Sequence, residues 1–250
     1  MRTISLNLSP HHQIVFTIPK MLRPYFRYDR KLMTDLSRAA RTSVVKFMEQ
    51  ELGKEVTPAM VVVKHTYGEG VRFHPHLHTL VTAGGWDEER AWRHLPAWNQ
   101  KVLRELFQIE VFRFLREREL LSRERMEMIL SWRHSGFNIH ISEAIQAGDK
   151  AALTRVARYM LRSPVVISRL SYDREGQKVK IKKRNTAGGD EIVLDVLDFI
   201  ARLSVQIPDP HERIVLYYGP YSNASNRRRV LDGEEELTPP ATGFSRSGES

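Results

Sequence analysis

The chain is 250 residues long and carries 39 Lys and Arg against 30 Asp and Glu, a formal net charge of +9, with 41% hydrophobic residues and no cysteine. That length buries a core without covalent staples, as one large or two small domains. The lack of cysteine excludes a disulfide framework, a zinc knuckle of the Cys type, an iron–sulfur cluster and a cysteine nucleophile. The longest wholly apolar runs, such as Met60-Val61-Val62-Val63, fall far short of the roughly 18 residues that cross a bilayer. Residues 1–10 hold no continuous apolar stretch of the secretory kind, so no membrane is expected and the expected address is cytoplasmic, with the nucleoid.

The excess positive charge points to a polyanionic partner, because Lys and Arg placed against phosphates release condensed counterions. It is also unevenly placed. Residues 1–48 hold nine Lys/Arg against Asp29 and Asp35, and residues 158–187 hold nine against Asp173 and Glu175, whereas Leu231 to Ser250 has one Arg and five acids. Two basic blocks and an acidic end predict one directed basic face.

In chain order, His12–Pro19 alternates and is β-branched, which predicts a strand. From Asp29 to Leu52 apolar residues recur at Leu32, Leu36, Ala40, Val44 and Phe47/Met48, a helical period closed by Gly53. Thr57–Tyr67 reads as a second strand, apolar on both faces at its three valines, and Gly68-Glu69-Gly70 as a turn. His76–Thr82 reads as a third strand that stops at Gly84-Gly85. Glu88–Leu130 reads as one long charged helical segment with an exposed, ion-paired face. Gly136–Ile145 alternates as a fourth strand. Asp149 is placed to cap a helix over Lys150–Arg162, which Pro164 ends. Strand pieces at Val165–Tyr172 and Lys178–Lys183, an amphipathic helix over Ile192–Ile207 and a strand at Arg213–Tyr218 complete the ordered chain. Beyond Tyr221 the composition loses apolar period, and residues 224–250 are expected to be disordered.

The segment Phe73-His74-Pro75-His76-Leu77-His78 is the most informative. On a strand, His76 and His78 share a face with Cβ atoms about 7 Å apart, within reach of one metal ion. Pro75 removes a ladder donor and places His74 outside the regular strand. His65, on the preceding strand, faces the pair if the two strands are antiparallel neighbours, and paired imidazoles at i and i+2 point to a metal.

The helix from Lys150 supplies the second clue. At 100° per residue Leu153, Val156 and Met160 fall on one side, and Arg155, Arg158 and Arg162 on the other, with Tyr159 at the border. A phenol is a poor nucleophile at neutral pH, but neighbouring guanidiniums favour its phenolate and hold a phosphate beside it. Such a tyrosine can attack a phosphodiester and store its energy as a phosphotyrosine. The plainer alternative, a tyrosine that only caps the core, stands beside it.

Five blocks carry a family resemblance: His11–Leu32, Val61–Gly85 (VVVKHTYGEGVRFHPHLHTLVTAGG), Ser135–Ile145, Val156–Asp173 (VARYMLRSPVVISRLSYD) and Leu216–Asn223. In this order they resemble the catalytic region of the rolling-circle insertion-sequence transposases, the two-tyrosine type of the HUH endonuclease superfamily. The resemblance implies an α+β fold with helices packed on an antiparallel sheet that carries His76-Leu77-His78. It implies a catalytic domain over residues 11–223, with a helical insertion around 88–130. It implies Mg²⁺ or Mn²⁺ at His76 and His78, single-stranded DNA as partner, and Tyr159 as nucleophile; His65, where such proteins often place a Gln or other polar group, is taken as the third ligand. Two departures matter. The positions four before and four after Tyr159 are Arg155 and Ser163 rather than a second Tyr, which suggests a single-tyrosine variant. The Cys-rich zinc-binding segment that begins relatives is missing from this Cys-free chain, as expected of a truncated copy.

The expected function is therefore a metal-dependent transposase domain that nicks and rejoins single-stranded DNA through a 5′-phosphotyrosine. Arg155, Arg158, Arg162, Lys180, Lys182 and Lys183 would track the backbone, and Tyr67 or Trp132 would stack on bases. Two rivals remain: an inactive remnant that only binds DNA, and a zinc hydrolase, which the shortage of a nearby carboxylate base disfavours.

Overall fold

Five antiparallel strands build the central sheet in a computed structural model of the protein, which describes residues 9–183 and 190–222. In spatial order they are β10 (Val215–Tyr218), β2 (Met60–Tyr67), β3 (Phe73–Thr82), β1 (His11–Thr17) and β6 (Asn138–Ile141). The histidine strand β3 is thus the middle one. In its register His76 lies opposite Thr17 of β1 and His65 of β2, and His78 lies opposite Val15 and Val63.

Alternation gives the sheet two apolar faces. Ile14, Phe16, Met60, Val62, Leu77 and Val81 are fully buried on one. They share their core cluster with Leu32, Leu36, Ala40, Val44 and Phe47 of α2 (Leu32–Leu52) and with Leu103, Phe107 and Val111 of α3 (Gln100–Glu117). Each such side chain contributes about 1.5–3 kcal/mol by leaving water, so this face carries most of the stability. The helical period read from Leu32 to Met48 is the buried stripe of α2, and Gly53 ends it in the left-handed region at φ 64°. A short α1 (Arg23–Tyr28) precedes α2. On the opposite face Val63 and Leu80 meet Ile145 and Met160, the last residue of α5 (Lys150–Met160). The fold is therefore α+β, with an antiparallel sheet that carries the His-x-His strand at its centre and helices packed on it.

Several sequence expectations are corrected. The single helical segment over 88–130 is a hairpin and two helices. β4 (Gly84–Trp86) pairs with β5 (Trp92–His94), Trp86 and Trp92 meeting edge-on at 4.7 Å between ring centroids. Gly84, at φ 151°, brings the chain so close that any Cβ would lie 2.1 Å from the Arg93 carbonyl oxygen. The Asn99 side chain then caps α3, and Ser122 caps α4 (Arg123–Ser131) after a reversal that holds Glu119 at φ 58°. Capping side chains, not the charge pattern, set these boundaries. Nor is the charged stretch only a solvated face, because Leu103, Phe107, Val111 and Leu115 are buried in it and Glu110 is enclosed between Lys46 and Arg113.

Ile192–Ile207 likewise splits. Glu191–Asp195 joins a second sheet as β9, beside β8 (Lys178–Lys182) and β7 (Leu170–Asp173), and Asp195 caps α6 (Val196–Ser204). Ile192 opposite Ile181 and Leu194 opposite Val179 make an apolar ladder that outweighs helical continuation. The strand read over Val165–Tyr172 is shorter, since Ile167–Arg169 form a 3₁₀ turn before β7. His74 lies inside β3 and not outside it, because Pro75 is buried within the strand without breaking it. The tail at 224–250 lies outside the described residues, as does Arg184 of the second basic block.

Candidate active site

β2 and β3 place three imidazoles on the face opposite α2 and α3. His65, His76 and His78 each offer one ring nitrogen, all within 4.8 Å of one another. The Nε2 atoms of His76 and His78 are 3.1 Å apart. Each ring is held through its other nitrogen. His76 Nδ1 donates to the His74 carbonyl at 2.7 Å, His65 Nε2 donates to the Met160 carbonyl at 2.6 Å, and Gln13 Nε2 donates to His78 Nδ1 at 3.1 Å. Burial lowers the proton affinity of all three: His65 is pushed down to about 4 and His78 to about 3, each helped by the neighbouring imidazoles, and His76 is lowered as well. The rings are therefore neutral at pH 7, the state that binds metal.

These residues fit a divalent cation. Two nitrogens 3.1 Å apart match neighbouring corners of an octahedron with bonds of about 2.1 Å. A carbonyl acceptor on the second nitrogen, as His65 and His76 have, is the arrangement that orients metal-binding histidines; the Gln13 carboxamide serves His78 in the same way when it is turned so that its oxygen accepts from Nδ1. The sequence shows the His-x-His pair; it does not show that the His74 backbone, rather than the His74 ring, does the orienting. That ring packs against Gly68, and burial pushes it down to about 4.

α5 brings the phenol to the same face. The Asp149 side chain caps its start, accepting from the Ala152 amide at 2.8 Å. Leu153, Val156 and Met160 turn to the sheet, and Arg155 and Arg158 to solvent. The Tyr159 ring stands edge-on to His78 at 5.4 Å between centroids and is 40% exposed. The helix ends at Met160, two residues before the predicted boundary. Arg162, past that end, folds its guanidinium over the Tyr159 ring at 4.2 Å.

Histidines and tyrosine share a cleft of about 260 Å³ between the β2–β3 hairpin and the β7–β8–β9 sheet. Of the six basic residues expected at the DNA, Arg162, Lys182 and Lys183 line it; Arg155, Arg158 and Lys180 are not among its lining, and Lys180 faces Asp173 at 4.0 Å. Tyr67 lines the cleft with its hydroxyl donated to the Arg162 carbonyl, and Trp132 is not among the lining residues. Two contributors escaped sequence reading. Arg169 lines the cleft from the 3₁₀ turn before β7, and Gln13 reaches His78 from β1. A signal for Gln13 existed in the alternation of HHQIVFT, which puts it on the face of Val15; the β1–β3 register was the missing piece.

The chain is 28% identical over 229 residues to the transposase for insertion sequence element IS801 of Pseudomonas savastanoi pv. phaseolicola, an alignment that covers 86% of this chain and 55% of that protein. The chain thus spans about half the length of this relative. No solved structure matches. The Y2_Tnp family model, described as "Putative transposase", matches residues 59–229, which include both histidine strands and the whole of α5. The chain belongs to the Y2_Tnp family of transposases.

Proposed function

We propose that residues 11–223 are a DNA strand-transfer domain that cleaves and rejoins single-stranded DNA through a tyrosine–phosphate link, with a divalent cation on His65, His76 and His78. The observation that carries this reading is the position of Tyr159, on the same face of the sheet as the three imidazoles and 5.4 Å from the His78 ring. The phenol oxygen attacks phosphorus, the bond from phosphorus to the 3′ oxygen breaks, and a 5′-phosphotyrosine forms. The phenol gives up a proton and the 3′ oxygen gains one, so the exchange conserves a phosphodiester and needs no ATP. Attack by the 3′ hydroxyl of another strand reverses it. A bound cation supplies Lewis acidity at the scissile phosphate. Imidazole donors suit first-row transition metals rather than the hard, oxygen-seeking Mg²⁺, so Mn²⁺ is the ion used in the test.

The other residues bind and position. Arg162, Arg169, Lys182 and Lys183 neutralise phosphates along the cleft, and the Arg162 guanidinium holds the phenol ring from above at 4.2 Å, a contact worth about 0.5–1 kcal/mol. Arg155 and Arg158, exposed on the outer face of α5, meet the strand only beyond the cleft.

The test uses Mn²⁺ and a labelled pool of random-sequence single-stranded oligonucleotides. The parent protein gives an adduct that survives denaturation, and Tyr159→Phe gives none. An adduct retained by Tyr159→Phe rejects the nucleophile. Metal-independent, salt-sensitive binding with no adduct from the parent replaces the reading with that of a DNA-binding remnant.

A further inference from the structure

Two side chains of β2 reach across the cleft to the end of α5. His65 Nε2 donates to the Met160 carbonyl at 2.6 Å, and the Tyr67 hydroxyl donates to the Arg162 carbonyl. The first of these carbonyls needs an outside donor. A helix leaves its last carbonyls unpaired, and the residue four beyond Met160 is Pro164, which has no N–H to offer. The donors also brace each other, since the His65 and Tyr67 rings stack with centroids 4.9 Å apart and planes 22° apart. Apolar packing holds α5 through one buried residue, Met160, and through Ala152, Leu153 and Val156, which are only partly buried.

We infer that His65 and Tyr67 are positioning residues, a two-point clamp that seats the last turn of α5 on β2 and thereby sets where the Tyr159 hydroxyl stands relative to the histidine cluster. The inference rests on the reading of Tyr159 as nucleophile and adds residues to that site. It also gives His65 a double duty. With Nε2 committed to the Met160 carbonyl, Nδ1 is the nitrogen left for a cation, so one ring joins the cation site to the helix that carries the phenol.

Tyr67→Phe tests the clamp, because it keeps the ring that stacks on His65 and removes only the hydroxyl. A displacement of about 1 Å at a reacting group costs up to about a hundredfold in rate. The expected result is a ten- to hundredfold slower first-order formation of the adduct at saturating oligonucleotide. Oligonucleotide and Mn²⁺ dissociation constants stay within twofold of the parent, and peptide mapping still finds the adduct on Tyr159. In metal-free protein without DNA, hydrogen exchange at the amides of residues 161–163, 165 and 166 speeds up. A rate within twofold of the parent, or unchanged exchange at these amides, overturns the clamp. An adduct mapped to Tyr67 in the parent, or one kept by Tyr159→Phe, overturns the assignment of Tyr159 as nucleophile instead, and the exchange measurement then still decides the clamp.

Discussion

Four groups converge on His78: the Gln13 amide on Nδ1, His76 on Nε2, the His65 ring at 4.5 Å and the Tyr159 ring at 5.4 Å. Gln13 fixes the orientation of that ring, so Gln13→Leu is expected to weaken Mn²⁺ binding by about 10- to 100-fold while leaving the melting temperature close to the parent's. Titration calorimetry measures the first quantity; an unchanged affinity would remove Gln13 from the site. His74→Gln provides the contrast, with affinity preserved, because His74 serves His76 through its backbone carbonyl. At this scale the sequence was readable where one strand sufficed. His76 and His78 share a face by local geometry, whereas Gln13 reaches His78 only because Val15 lies opposite it in the register of β1 with β3.

α5 is the element that decides whether the site is complete. Its apolar stripe and its Asp149 cap are both local in sequence and both hold in the fold. Removing the cap with Asp149→Ala costs about 1 kcal/mol, and Met160→Ala, at a 2% exposed position, costs about 2–4 kcal/mol. Urea unfolding is expected to rank the two in that order. A reversed order would mean that the cap, rather than the Met160 contact with Val63 and Leu80, holds the helix. Elsewhere local pattern misleads. Ile192–Ile207 has apolar spacing compatible with both periods, and pairing of β9 with β8 takes its first part into a strand. Likewise a uniform run of charge conceals the Asn99 and Ser122 caps that divide 88–130.

For the molecule as a whole, buried histidines make stability depend on pH. Burial pushes His11, His65 and His74 down to about 4 and His78 to about 3, against 6.5 in the unfolded chain. Between those values the unfolded chain binds more protons than the folded one, so stability rises with pH across the window. It is complete above about pH 6.5 and is lost as pH falls toward 4, with His11 alone contributing at most about 3 kcal/mol. Melting temperatures of metal-free protein are expected to hold from pH 8 to about 6.5 and to drop steeply by pH 4.5, with Mn²⁺ moving the drop to lower pH. A melting temperature that stays level down to pH 4.5 would contradict the burial of these rings. Net charge, the β-branched strands, the stripe of α2, the His-x-His pair and the candidate tyrosine were all decided by sequence alone, because each rests on residue type and on spacing within one element. Only the tertiary structure decided that β3 is the central strand, that α5 docks on the imidazole face, that Gln13 and Arg169 join the site and that Arg155, Arg158 and Lys180 stand outside the cleft. Those outcomes depend on which strands pair, in what register and on which side a helix packs, and such contacts join residues far apart along the chain.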